Sequence, residues 1–262
     1  MDATRLALSP SRISTYEASS GVIDPNDPSA VALYAWNAKI SAAFFVPLHF
    51  CEVVVRNAVS EALEFLYGPR WPWDPTLSLS LPDPRRAYSP RKDLRNVAAI
   101  QPSTGKVIPE LKFVFWQEIF ALRHGVRIWD IHYRTVFPFH DPAKTVIELR
   151  RKMFHDLGQI RQLRNRIAHH EPIFNRSLSA ELNLMIDIVE QRSPLVASWM
   201  VANQDANQLL SHRPLFRGGK RWTPTQDEIA QVAYRLWEDG GKKVGRGDAD
   251  WAQAERLIGK LD

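Results

Sequence analysis

Proline marks where helices can begin in this chain. Asp27-Pro28, Asp141-Pro142 and Ser193-Pro194 each set a side chain that accepts hydrogen bonds from free helix N–H groups ahead of a proline, whose fixed φ suits a first helical turn. Ala30 to Phe45 reads as a helix. Past Pro47, which should break or kink the path, Cys51, Val55, Val59, Leu63 and Leu66 form an apolar stripe at helical spacing that stops at Gly68. Two such helices would pack as a hairpin. Asp141-Pro142 opens a long segment that reaches His170 and bends at Gly158. Leu178, Leu182, Met185, Ile186 and Val189 mark the next helix, and Ser193-Pro194 starts another. Continuous strand alternation is absent, so the pattern predicts a helical body.

Eight of the 18 prolines fall between Pro69 and Pro109, which predicts loop with only short structure. Ile108 to His124 returns to a helical pattern. Leu209 to Thr223, carrying Arg217-Gly218-Gly219-Lys220, reads as a linker before a helical start at Pro224. The tail from Lys220 holds eight basic and eight acidic residues, and this even balance sets it apart as a module.

With 45% hydrophobic and 24% charged residues, the 262-residue chain can bury a full core and is not disordered. Cys51 is its only cysteine, which excludes an internal disulfide and fits a reducing compartment. The opening MDATRLALSPSR lacks the apolar run and cleavage site of a secretory signal. Ala42 to Val55, interrupted by Pro47, His49 and Glu52, is too short to span a bilayer. The expectation is a cytoplasmic protein with no membrane partner.

The net charge of +5 is concentrated. Between Lys144 and Arg176 eight basic residues stand against three acidic ones, a patch suited to a polyanion such as RNA, unless these are simply solvated charges on a surface helix. Inside it lies Gln162-Leu163-Arg164-Asn165-Arg166-Ile167-Ala168-His169-His170-Glu171-Pro172-Ile173-Phe174. This segment resembles the HEPN motif, an arginine and a polar residue followed by three residues and a histidine, in the form found in bacterial Abi-like (abortive infection) proteins. Tyr34-x-Trp36-Asn37 with Ser41-Ala42-Ala43-Phe44, Glu52-Val53-x-x-Arg56-Asn57-Ala58, Tyr67-Gly68-x-x-Trp71 and Pro109-Glu110-Leu111-x-Phe113-x-Phe115-Trp116 resemble the same family in the same order, with Val114 where the family pattern has glycine. The resemblance runs from Leu8 to Leu215. In the tail, Ile229, Ala233-Tyr234, Leu236-Trp237-Glu238, Gly241, Asp250-Trp251 and Ala254-Glu255 resemble a short bacterial domain of unknown function.

The resemblance implies an all-α, HEPN-like helical bundle over residues 1–215 with a Pro-rich loop insertion. A linker at 216–224 and a small helical module at 225–262 would follow. It also implies a homodimeric endoribonuclease of toxin type with RNA as substrate, serving phage defence, and an antitoxin (protein, RNA or modifying enzyme) as a further partner. No cofactor is expected.

Arg164 and His169 lie five residues apart, about 140° around an ideal helix, so they diverge and a compact site is easier to build from two copies facing each other. Asn165 and His169, four apart, share a face. Pro172 disfavours a helical Glu171, which ends the helix near His169 or His170. Arg164 would grip the scissile phosphate, His169 would move protons, and Asn165 would orient His169 or contact the phosphate. Arg161, Arg166 and His170 are candidate substrate contacts. Glu52, Arg56 and Glu171 are candidate supporting residues, although the i, i+4 spacing of Glu52 and Arg56 is most simply an intrahelical ion pair. His155, His169 and His170 lack the cysteines or paired carboxylates of a metal site. The nine tryptophans are assigned to core and interface. Two alternatives remain: an RNA-binding HEPN module that does not cut, and a dimeric interaction protein whose motif only knits an interface.

Overall fold

The computed structural model describes residues 2–21, 27–217, 220–222, 226–239 and 250–254. The fold is all-α. In chain order the helices are α1 (Asp2–Leu8), α2 (Pro10–Ser20), α3 (Ser29–Ala43), α4 (Phe45–Tyr67), α5 (Pro75–Ser80), α6 (Pro90–Ile100), α7 (Thr104–Glu110), α8 (Phe113–Ile119), α9 (Asp130–Val136), α10 (Val146–Ala168), α11 (Leu178–Arg192), α12 (Pro194–Ala202), α13 (Ala206–Ser211) and α14 (Gln226–Asp239). The exception among the described residues is a short antiparallel pair, β1 (Leu215–Arg217) with β2 (Lys220–Trp222), in which Phe216 lies opposite Arg221.

The chain divides into two compact units, 1–39 with 211–262, and 40–210. The first 39 residues join the tail because their side chains find partners there and in each other. Arg5 donates to Glu17 at 2.7 Å, Tyr16 meets Tyr34 edge-on at 5.1 Å, and the Arg213 guanidinium lies 5.7 Å from the Trp36 ring centroid. Burial pushes the Tyr16 hydroxyl up to about 12. The expected linker over 209–223 is partly regular, because α13 and the β1–β2 pair occupy it. Gly218, Gly219, Pro224, Gly241 and Glu255 lie outside the described residues.

Helix starts follow the capping logic with one correction. Asp27 accepts from Ser29 N–H at 2.7 Å, Ser193 caps α12 through Val196 N–H, and the unanticipated Ser9-Pro10 pair caps α2 through Arg12 N–H. Asp141-Pro142 does not open a helix. Asp141 instead folds a turn by accepting from Ala143 N–H, and α10 starts four residues later on a capping box in which Thr145 and Glu148 satisfy each other's backbone N–H groups. Pro47 coincides with the boundary between α3 and α4. It falls in the first turn of α4, where its missing N–H costs little, and Phe44 keeps a right-handed helical backbone with bonds to Ile40 and Leu48. The chain therefore does not reverse between α3 and α4 as a hairpin would. The stretch Ser29–Tyr67 is long and apolar enough by composition to cross a membrane. Cys51, Val55, Ala58, Val59, Ala62 and Leu63 are nevertheless buried, on a helix that packs against α8, α9 and α11.

The proline-rich stretch is more ordered than a loop. Three of its prolines, Pro72, Pro75 and Pro90, sit at the first positions of short helices, where a missing N–H is harmless, whereas Pro109 lies inside α7. Trp71 donates to Ser60 Oγ at 3.0 Å and Trp73 to Ala98 O at 2.9 Å, which anchors the stretch to α4 and to itself. Around Trp71, Trp116 and Trp129 the core of the second unit is aromatic, and Phe120 stacks on Trp129 at 4.1 Å. Of the expected core tryptophans, Trp199 is an exception: it is exposed and meets Phe50 edge-on.

Candidate functional site

The candidate residues lie on the last turns of α10. Leu149, Met153, Leu157, Ile160, Leu163 and Ile167 bury one stripe of this helix, which packs on α8, α9 and α11. The helix runs unbroken through Gly158. Gly158 serves close approach instead: a Cβ there would lie 3.0 Å from Gln117 Nε2. That amide crosses from α8, donating to Phe154 O at 3.3 Å and accepting from Arg161 Nε at 2.8 Å.

At the carboxyl end, the helix closes in a Schellman motif. His170 N–H bonds Ile167 O at 3.0 Å and Glu171 N–H bonds Arg166 O at 2.8 Å, with His170 in the left-handed region at φ 55°. Glycine usually occupies that position, and a side chain there costs about 1–2 kcal/mol. Arg166 clasps the turn from outside, with Nε donating to Pro172 O at 3.0 Å and the guanidinium 3.6 Å from Glu171. Glu171 thus supports the motif's own turn.

The charge count over 144–176 overstates the cationic surface. Lys144 pairs with Asp141 at 3.4 Å, Lys152 with Asp156 at 2.6 Å, and Arg176 with Glu181. Arg150 is buried against Phe120 O, and that burial pulls its guanidinium below the usual range. Arg161 and Arg166 are engaged as described, with Gln117 and with Pro172 O and Glu171. Among the described residues, Arg151 and Arg164 alone of the eight have no side-chain partner.

Arg164 and His169 are exposed and Asn165 is half-buried, and among the described residues none of the three has a side-chain partner. The divergence of Arg164 and His169 persists, because His169 continues the helix as its cap with φ −94° and ψ 9°. Glu52 and Arg56 pair with one another, and Arg56 also donates to Pro109 O at 3.4 Å. This is the intrahelical pair their spacing implied. His155 is exposed against Phe154, and among the described residues no three His, Cys, Asp or Glu side chains gather as metal ligands would.

A cavity of about 530 Å³ opens at the opposite end of α10, lined by His140, Asp141, Lys144, Lys152, Asp187 and Glu190 among others. Its cations already face its carboxylates. The arginine–histidine motif is on open surface, not in this cavity.

Residues 224–259 match a family described as protein of unknown function (DUF2934). The match falls on the tail that charge balance set apart. No curated protein and no solved structure is similar to the chain.

Proposed function

We propose that this chain is a metal-independent endoribonuclease of the HEPN, Abi-like kind, with Arg164, Asn165 and His169 of two copies forming one site. The observation that most supports this reading is selective disengagement. Six of the eight cations between Lys144 and Arg176 are held by carboxylates, carbonyls or an amide, while Arg164, like Arg151 earlier on the helix, is exposed without a side-chain partner among the described residues, and His169 is exposed as well. Surface side chains that a structure leaves uncommitted on a rigid helix end are available to a ligand.

The chemistry follows from the residue types. The ribose 2′-oxygen attacks the adjacent phosphorus while one His169 takes its proton. The bond to the 5′-oxygen breaks as the partner subunit's His169 protonates it, leaving a 2′,3′-cyclic phosphate. Arg164 holds the phosphate oxygens as charge builds on them, and Asn165 positions the imidazole. Arg164 brings a permanent positive charge and the one nearby carboxylate is already paired to Arg166, so the site favours phosphate over a divalent ion. In this reading the protein acts in the cytoplasm as a growth-arresting toxin in phage defence, restrained by an antitoxin.

Purified protein incubated with RNA in EDTA tests the reading. Cleavage that fails on a strand with 2′-deoxyribose at the cut position supports it. Binding without cleavage assigns the chain to a non-cutting RNA module, and neither result assigns it to an interaction protein. Mass measured across a dilution series should show a dimer, and a fully active monomer would contradict the two-copy site.

A further inference from the structure

The cations that α10 leaves occupied have a counterpart elsewhere. From Pro82 to Lys112 the chain carries seven basic and three acidic residues. Arg91 closes the end of α5 through Ser78, Leu79 and Leu81 carbonyls. Among the described residues, Arg85, Arg86, Arg95 and Lys106 have no side-chain partner, and all four are exposed. Two of the three carboxylates are occupied. Asp93 accepts from Tyr88 Oη at 2.7 Å and Lys112 N–H at 3.4 Å, and Asp83 accepts from Ser89 Oγ at 2.7 Å with Lys92 3.6 Å away. Glu110 is the one acidic residue left to oppose four free cations.

One of these four cations, Arg85, lines a place to bind. A cavity of about 270 Å³ is lined by Arg85, Tyr88, Lys92, Asn96 and Lys112, with Asp93 its only acid. The Lys112 ammonium sits 5.8 Å from the Tyr88 ring centroid, which holds its charge at the rim. Arg95 neighbours Asn96 on α6. The cavity also communicates with the candidate site through one rigid element. Lys112 precedes α8 and touches Asp93 on α6, while Gln117 in α8 holds Arg161, one turn before Arg164.

We propose that this cavity and its rim bind the phosphate backbone of the RNA strand some nucleotides from the cleaved bond. The proposal rests on the ribonuclease reading for its ligand but not for its test. Arginines supply paired donors to phosphate oxygens, and the Asn96 amide offers a donor and an acceptor to a ribose or base edge.

The test measures fluorescence anisotropy of a labelled, fully 2′-O-methylated RNA oligonucleotide, which cannot be cut by 2′-oxygen attack, with the full chain. Arg85→Ala/Arg95→Ala should weaken binding about tenfold and lower the salt slope by about 1.4, two phosphate contacts at roughly 0.7 each. Its thermal midpoint should not move, because neither side chain has a partner to lose. Lys39→Ala/Arg123→Ala, which removes the same charge from exposed sites elsewhere, should bind as wild type. Three results overturn the proposal: unchanged affinity and slope in the folded double variant, equal loss in the control variant, or displacement of the RNA by polyglutamate at equal charge. The last would give the surface to an acidic protein. Cleavage of unmodified RNA is read separately. A chain that binds the methylated strand through Arg85 and Arg95 but cuts nothing loses the ribonuclease reading and keeps this surface. A chain that cuts through Arg164 but binds independently of Arg85 and Arg95 loses only the surface.

Discussion

Two histidine turns in this molecule use the same ingredients and reach opposite ends. His124 closes a 3-10 turn, stands next to Arg123 and near Arg127, and precedes the π-helical turn Gly125–Trp129. His169 closes α10, stands beside a left-handed His170, and has Arg164 and Arg166 on the preceding turn. His124 is only 1% exposed, and neither ring nitrogen has a hydrogen-bond partner among the described residues. Burial first, then Arg127 and Arg123, pull its imidazole down to about 4. His169 is exposed. Burial, rather than residue type or neighbouring charge, decides which histidine answers to stability and which is open to a substrate.

Removing each histidine should therefore change different measurements, and the largest effect belongs to the exposed turn. His169→Ala and Arg164→Ala should each cut ribonuclease activity by about a thousandfold, the scale of losing a general acid–base or a phosphate clamp. Thermal midpoints should stay put, since neither side chain has a partner in the fold. Insoluble protein in both variants would break the comparison by making the exposed turn structural.

The buried turn should dominate acid stability. Its folded-state value is depressed below the ordinary value near 6.5, so as pH falls the unfolded chain takes up the proton first and unfolding is favoured. The contribution is fully present above about pH 6.5 and lost by about pH 4, roughly 3 kcal/mol in all. Urea unfolding of wild type and His124→Leu across that interval measures it. The variant should have a flatter acid limb, and parallel curves would assign acid lability to other groups.

A smaller effect sharpens the account within the exposed turn. His170→Gly relieves a side chain held in the left-handed region but also removes the interaction that His170 makes, so the two effects offset and the thermal midpoint should stay within about 2 °C of wild type. Strain kept at one position is a pointer to function. If the folded variant loses activity, His170 contacts substrate. If activity is retained, its backbone alone shapes the turn.

Much of the helical architecture was legible in the sequence because capping and apolar spacing are local signals. Asp27, Ser193 and the α11 stripe needed nothing beyond their neighbours, although Ile188 rather than Ile186 is fully buried there. Failures arose where a local signal had two meanings. Asp141-Pro142 caps a turn as readily as a helix. Dense prolines suggested loop, yet Pro72, Pro75 and Pro90 stand in first helical turns, where proline is tolerated. At the site, the position of Arg164 and His169 at the helix end could be read from Pro172 and the motif. The commitments of Arg161, Arg166 and Lys152 could not, because their partners Gln117, Pro172 O and Asp156 are recognised as partners only once the packing is known. Charge counting for the same reason favoured α10 over the 82–112 segment. The burial of His124 carried no sequence signal at all.

The most direct test of the central claim is the chemistry of RNA ends produced in EDTA by wild type and by His169→Ala. The account predicts fragments ending in 2′,3′-cyclic phosphate from the wild type and intact RNA with the variant. Cutting that requires magnesium, leaves 5′-phosphate ends and persists in His169→Ala would contradict it.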